Sequence, residues 1–179
     1  MHTVLQASAN DRPAIERLYA EAIGRAAWLP PRARLRADFS EVSHGEMVYV
    51  IKADAGELAG FVAVYEPESF VHHLFVAPQY QRRGLASLLL SSLHTWLPMP
   101  WRLKCIRGNT DALSFYGANG WKEVGAGESD EGPYLVLEYN QEPSVSIYRV
   151  PQGSISALCA APHAERSNRL IGAGYCRPR

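Results

Sequence analysis

The hydrophobic positions of this chain change period several times, and each change marks an element. Thr3 to Ala7 reads as a short first strand. Asn10 or Asp11 caps the helix that follows, and Pro13 falls in its first turn, where a missing N–H is tolerated. Ile15, Leu18, Tyr19, Ala22 and Ile23 recur at helical spacing and give one apolar stripe. Pro30-Pro31 interrupts the pattern, and Leu35, Phe39 and Val42 predict a second helix with these residues on one side. Two strand-like runs, Met47 to Lys52 and Leu58 to Tyr65, flank the hairpin turn signal Asp54-Ala55-Gly56-Glu57. A third run, Phe70 to Val76, ends at Ala77-Pro78. Leu85, Leu88, Leu89, Leu93 and Trp96 predict the core face of a long helix. In the next strand Trp101, Leu103 and Cys105 alternate with Arg102 and Lys104. Asn109 or Thr110 caps a short helix around Tyr116, and Trp121 to Val124 and Tyr134 to Tyr139 close the sheet. The order βααβββαβαββ predicts an α/β (α+β) fold, a mixed, mostly antiparallel central sheet with helices on both faces.

The pattern changes at residue 141. Segment 141–179 has five Arg, two Glu, no Lys and no Asp, a net +3 that leaves −3 for residues 1–140. It is expected to be a C-terminal extension beyond one domain of residues 1–140. A loosely ordered tail and an arm that binds a partner or bridges a homodimer are both open.

Composition narrows the function classes. An apolar content of 47% is enough for one sizeable core. The formal net charge of zero supplies no global field toward nucleic acid or anionic lipid, so neither is an expected partner. Cys105, Cys159 and Cys176 are odd in number and lack Cys-x-x-Cys spacing, which fits a reducing, cytoplasmic compartment. No basic-then-apolar leader and no apolar run near eighteen residues are visible, so no membrane span is expected. There is no His-Glu-x-x-His, no cysteine cluster and no Gly-x-x-x-x-Gly-Lys-Ser/Thr, so no metal site is expected.

The chemistry concentrates in two stretches. Leu74 to Leu90 runs LFVAPQYQRRGLASLLL, a strand feeding a polar, glycine-containing turn and a helix N-terminus. Orphan backbone N–H groups and the helix dipole there favour an anion such as phosphate. Asn109 to Trp121, NTDALSFYGANGW, puts a tyrosine on a short helix ending at Asn119-Gly120. Together these stretches resemble the GNAT superfamily of acetyl-CoA-dependent N-acetyltransferases. Gln81-Arg82-Arg83-Gly84-Leu85-Ala86 fits its pyrophosphate loop, and Asn109, Ala112, Phe115-Tyr116 and Gly120-Trp121 fit its next motif. The resemblance covers about Met1 to Tyr139 and implies the GNAT fold for residues 1–140.

It also implies an acetyl transfer from acetyl-CoA to a primary amine by direct attack. That reaction needs the phosphates held, the thioester carbonyl polarised, a proton taken from the amine and one given to the thiolate. Backbone N–H groups from Arg82 to Ser87 are candidates for the phosphates, with Gly84 permitting close approach. The resemblance implies that the backbone of Leu74, Phe75 and Val76 pairs with the pantetheine arm, with the Val76 N–H at the thioester oxygen. His72 is the candidate base, two residues before that tripeptide; a structural histidine bonded to a backbone carbonyl is an equal alternative. His72 and His73 should point to opposite faces, with His72 beside Phe70, Leu74 and Val76. Glu46, Glu66 and Glu68 are weaker base candidates, and attack by an already-neutral amine or proton loss through a water chain would need no single base. Tyr116, a phenol with a pKa of about 10, is the candidate general acid. Asn109 is expected to touch pantetheine or to cap its helix, or both.

Acceptor choice is expected to rest on residues 24–43, with Trp28, Arg32, Arg34 and Arg36, and on residues 125–133, with Glu128, Asp130 and Glu131. Two other readings stay open, a catalytically idle acyl-CoA-binding sensor and a tRNA-acetylating toxin silenced by a protein partner.

Overall fold

A computed structural model describes residues 2–35, 38–54 and 56–141. The expectations for 142–179 and for Arg36 lie outside these residues.

Seven strands form one sheet in the order β1-β2-β3-β4-β5-β7-β6. They are β1 Val4–Gln6, β2 Met47–Lys52, β3 Leu58–Tyr65, β4 Phe70–Val76, β5 Trp101–Ile106, β6 Lys122–Ser129 and β7 Gly132–Tyr139. All neighbours are antiparallel except β4 and β5. The central strand β3 is apolar and buried along Leu58 to Val64, because helices cover it from both sides. The helices are α1 Arg12–Gly24, α2 Pro31–Arg34, α3 Phe39–Val42, α4 Leu85–Ser92 and α5 Thr110–Ala118.

Two cores result. On one face Leu85, Leu89 and Leu93 pack with Val62, Leu74, Trp101 and Trp121. On the other, Ile15, Leu18, Tyr19 and Ile23 of α1 pack with Phe39, Phe61 and Phe75. Burying each such side chain fully contributes about 1.5–3 kcal/mol. A single 3-10 turn, Ala9–Asp11, leads into α1 and is closed by a capping box, in which Asp11 accepts from the Ser8 backbone N–H at 2.9 Å and its hydroxyl at 2.7 Å. Lys52 of β2 adds an ion pair at 2.6 Å, and that ammonium, with the Ser8 bonds, pulls the Asp11 carboxyl down to about 2.

Four expectations need correction. The second helix is two short ones, because Asp38 is extended and caps α3 by accepting from the Glu41 N–H at 3.3 Å. Phe39 is buried by α3, but Leu35 after α2 is 86% exposed. Leu88 is 37% exposed, because α4 and the 3-10 turn after it present Leu85, Leu89 and Leu93 to the sheet and turn Leu88 off that stripe. The last two strands run to Ser129 and from Gly132, so most of the expected 125–133 loop is β-ladder.

The fourth concerns His72. Ala63 faces His73 while Val64 faces Val71, so His72 is an extra, bulged residue on β4. The bulge breaks the alternation. Val71, Leu74 and Val76 pack on the α4 side, and the His72 ring lies 6.2 Å from that of His73 rather than beside Leu74 and Val76.

Candidate active site

The strand β5 pairs with β7 along its whole length, from Trp101–Tyr139 to Ile106–Tyr134. With β4 it shares one pair, Phe70–Arg102, extended by the Arg102 N–H donating to Ser69 O at 3.1 Å. Beyond that point the sheet splits and β4 has an open edge. The direction of its backbone groups follows from the ladder on its other side. Ala77 N–H donates to Ala59 O at 2.9 Å, so by strand alternation Phe75 also turns its N–H to β3, while Leu74 and Val76 turn theirs to the gap. Gln81 marks the same side: its Nε2 donates to Val76 O at 3.0 Å. Gly60 allows β3 to approach this closely, since a Cβ there would sit 2.7 Å from Phe75 O.

The loop after β4 turns twice through left-handed backbone, at Arg82 with φ 61° and at Gly84 with φ 76°. Gly84 holds a backbone conformation that other residues rarely adopt, and a Cβ there would meet no protein atom within 4 Å. The first bond of α4 is Leu88 N–H to Gly84 O at 3.0 Å, so the amides of Leu85, Ala86 and Ser87 have no partner inside the helix. Left-handed turns feeding a helix N-terminus make an anion-binding concavity. An open groove of about 630 Å³ lies there, lined by Val76, Gln81, Arg82, Gly84, Ala86 and Phe115 among others. Leu85 lines it too, as do Tyr80, Asp111 and Ser114. Arg83 instead stands 5.6 Å over the Tyr80 ring, whose hydroxyl donates to Glu57 Oε2 at 2.8 Å. The Ser87 hydroxyl donates to Asn119 Oδ1 at 3.1 Å, tying α4 to the end of α5.

A smaller cavity of about 140 Å³ opens on the α1 side, against Leu18, Ala22, Trp28 and Phe75. It shares Val76 and Gln81 with the first groove. The two therefore meet at the open edge of β4 from opposite faces of the sheet. Trp28 closes over the end of β5, where a Cβ on Gly108 would come within 2.9 Å of its Cβ. Arg32 reaches the β6–β7 turn and donates to Asp130 O at 3.2 Å. The two segments expected to select the acceptor thus touch each other. In that turn, burial and then the Asp130 charge raise the Glu131 carboxyl to about 7.

Of the two adjacent aromatics on α5, Phe115 lines the groove and Tyr116 is fully buried behind it. The Tyr116 ring packs between Phe115 at 5.3 Å and Trp121 at 5.4 Å. Asn109 is buried and caps α5, accepting from the Ala112 N–H at 3.4 Å. His73 is buried in an aromatic cage of Tyr19, Phe39 and Phe75, and burial, then His72, lowers it to about 3. His72 is more accessible, with 23% of its side chain exposed, and its Nδ1 pairs with Glu46 Oε1. The partner of His72 is thus a carboxylate and not a backbone carbonyl.

Residues 44–123 match the family model described as the acetyltransferase (GNAT) domain. The chain carries a GNAT acetyltransferase domain. Solved structures of this fold agree. A GNAT-family acetyltransferase from Bacillus cereus is 24% identical with a TM-score of 0.63, covering 80% of this chain and 99% of that one. The ribosomal-protein-S18-alanine N-acetyltransferase from Escherichia coli is 20% identical with a TM-score of 0.58, covering 83% and 99%. A spermidine N-acetyltransferase from Vibrio cholerae is 14% identical with a TM-score of 0.56, covering 77% and 92%. Comparison with curated protein sequences gives no match. In this GNAT domain the strand–loop–helix motif supplies the first groove, and the split sheet joins that groove to the α1-side cavity.

Sequence reasoning underrated two groups. Phe115 had a signal, since consecutive aromatics on a helix diverge by about 100°. The Glu46–His72 contact had none, because the two residues stand 26 positions apart on different elements.

Proposed function

We propose that the protein moves an acetyl group from acetyl-CoA to a primary amine by direct attack across the split sheet. One observation carries this reading: two grooves on opposite faces meet at Val76, on the unpaired edge of β4. The α4 groove suits a diphosphate. The amides of Leu85, Ala86 and Ser87 face it from the helix start, and Arg82 and Arg83 add positive charge. Gly84 sets the left-handed entry, and Gln81 orients the loop on Val76.

The Leu74 and Val76 amides then pair with the pantetheine arm as a strand would. The Val76 N–H meets the thioester oxygen and stabilises the charge that develops there. The amine enters from the α1 side, the side to which the bulge turns His72. His72 takes the proton from the amine as the C–N bond forms. When the C–S bond breaks, Tyr116 returns a proton to the thiolate, and its burial keeps that step from water. Asn109 holds the start of the helix that carries Tyr116.

Two acceptor classes suit the site, a small-molecule amine and a peptide or protein amine. The β6–β7 turn, with the carboxylates of Glu128 and Asp130, favours a cationic acceptor. The test is thiol release from acetyl-CoA against polyamines, peptide N-termini and lysine peptides. Acceptor-dependent release is expected. Tight acetyl-CoA binding with no release on any amine would favour the sensor reading, and absence of binding by folded protein would end the assignment.

A further inference from the structure

Glu46 sits just before β2, after the left-handed turn at Gly45, and only 2% of its side chain is exposed. One carboxylate oxygen pairs with His72 Nδ1, and the other is buried with no hydrogen-bond partner among the described residues. Such a carboxylate is unfavourable unless something compensates its charge. The group placed to do so is the imidazole on the β4 bulge. The other rings facing His72 are Phe70 at 4.8 Å, His73 at 6.2 Å and Tyr65 at 6.3 Å. Two of these carry no charge near neutral pH by nature, and His73 is held neutral by burial. Glu46 is therefore the one ionic partner of His72 among the described residues.

We propose that Glu46 is the positioning residue of the proton acceptor. Its Oε1 takes the Nδ1–H of His72, which fixes the tautomer with a bare Nε2 and orients the ring across the bulge. Nε2 accepts the proton the amine loses, and the carboxylate balances the imidazolium so formed, as an acid orients histidine in hydrolytic triads. The proton then leaves Nε2 for solvent, and Tyr116 is reprotonated in its turn. The inference rests on His72 as the base. It adds a residue from a separate element, joined to the site only by folding.

The test begins with ¹⁵N-histidine NMR of the full chain, with the His72 signals identified by their loss in His72→Gln. A protonated Nδ1 and bare Nε2 are expected, and the opposite tautomer would overturn the proposal. Glu46→Gln should abolish that preference. It should also lower kcat on the best acceptor on the order of 10–100-fold, by analogy with removal of the partner that orients a metal-bound histidine. KM for acetyl-CoA should stay put. Glu46→Asp should recover part of the loss. In a His72→Gln background, Glu46→Gln should cost nothing further. If His72→Gln leaves kcat intact, the base assignment fails. If His72→Gln is slow but Glu46→Gln is not, only the positioning role fails. Should Glu46→Gln not fold, the wild-type tautomer decides alone.

Discussion

The two seams of β5 are built from similar strands and end differently. Toward β7 it pairs from Trp101 to Ile106, and its first residue joins an aromatic stack in which Trp101 lies 5.1 Å from Tyr139. Toward β4 it pairs once, and the strands then part. The closed seam satisfies its amides internally and makes core. The open one leaves the Leu74 and Val76 amides pointing into a gap reached from both faces. In this domain an interrupted ladder, rather than any cluster of reactive side chains, defines where a ligand can add itself as a strand.

Replacing the buried phenol of Tyr116 should have the largest effect. Tyr116→Phe is expected to lower turnover on the order of 10²–10⁴-fold with little change in acetyl-CoA affinity. Steady-state kinetics and calorimetry check this, and parallel loss of both would remove the proton-donor role. Next comes pH. His73 is buried with its pKa lowered from 6.5 to about 3, so the unfolded chain binds more protons between those values. Its contribution is fully present above about pH 6.5, and stability falls as pH drops toward 3, by at most about 1.4 kcal/mol per pH unit. Urea titrations from pH 7 to 4 should show this slope, and His73→Gln should flatten it.

A pair of glycine substitutions compares the two sides of the sheet. Gly60→Ala puts a Cβ 2.7 Å from Phe75 O, behind the open edge, and should cost about 1–3 kcal/mol while weakening acetyl-CoA binding. Gly125→Ala, in the closed β6–β7 ladder, places its Cβ 3.7 Å from Val136 and should stay within about 0.5 kcal/mol. Equal losses would mean the gap is no more sensitive than the ladder. Smallest of all, Arg102→Ala removes an exposed ion pair with Glu138 at 2.9 Å. It should cost at most about 1 kcal/mol in thermal unfolding.

Particular residues show how far local signals reach. The α1 stripe, the apolar β3 run and the Gln81-to-Ala86 loop all carry their cause in neighbouring positions. Their elements stand where the hydrophobic period placed them. The bulge at His72 lacks such a cause, since nothing in FVHHLFV marks an extra residue; it exists only in the register against β3. The broken second helix was nearly legible, because Asp38 is a good cap, but the burial of Phe39 against Tyr19 and Phe61 settled which turn was kept.

Apart from the split of the second helix into α2 and α3, the sequence alone determined the order of elements, the family resemblance and the turn that precedes α4, because periodicity, capping and left-handed glycine act over a few residues. Only the tertiary structure decided that the sheet splits after Phe70, that Phe115 rather than Tyr116 lines the groove, and that Glu46 meets His72. Each of these depends on pairing and packing between segments far apart in the chain, where register and burial, not local preference, fix what a side chain touches.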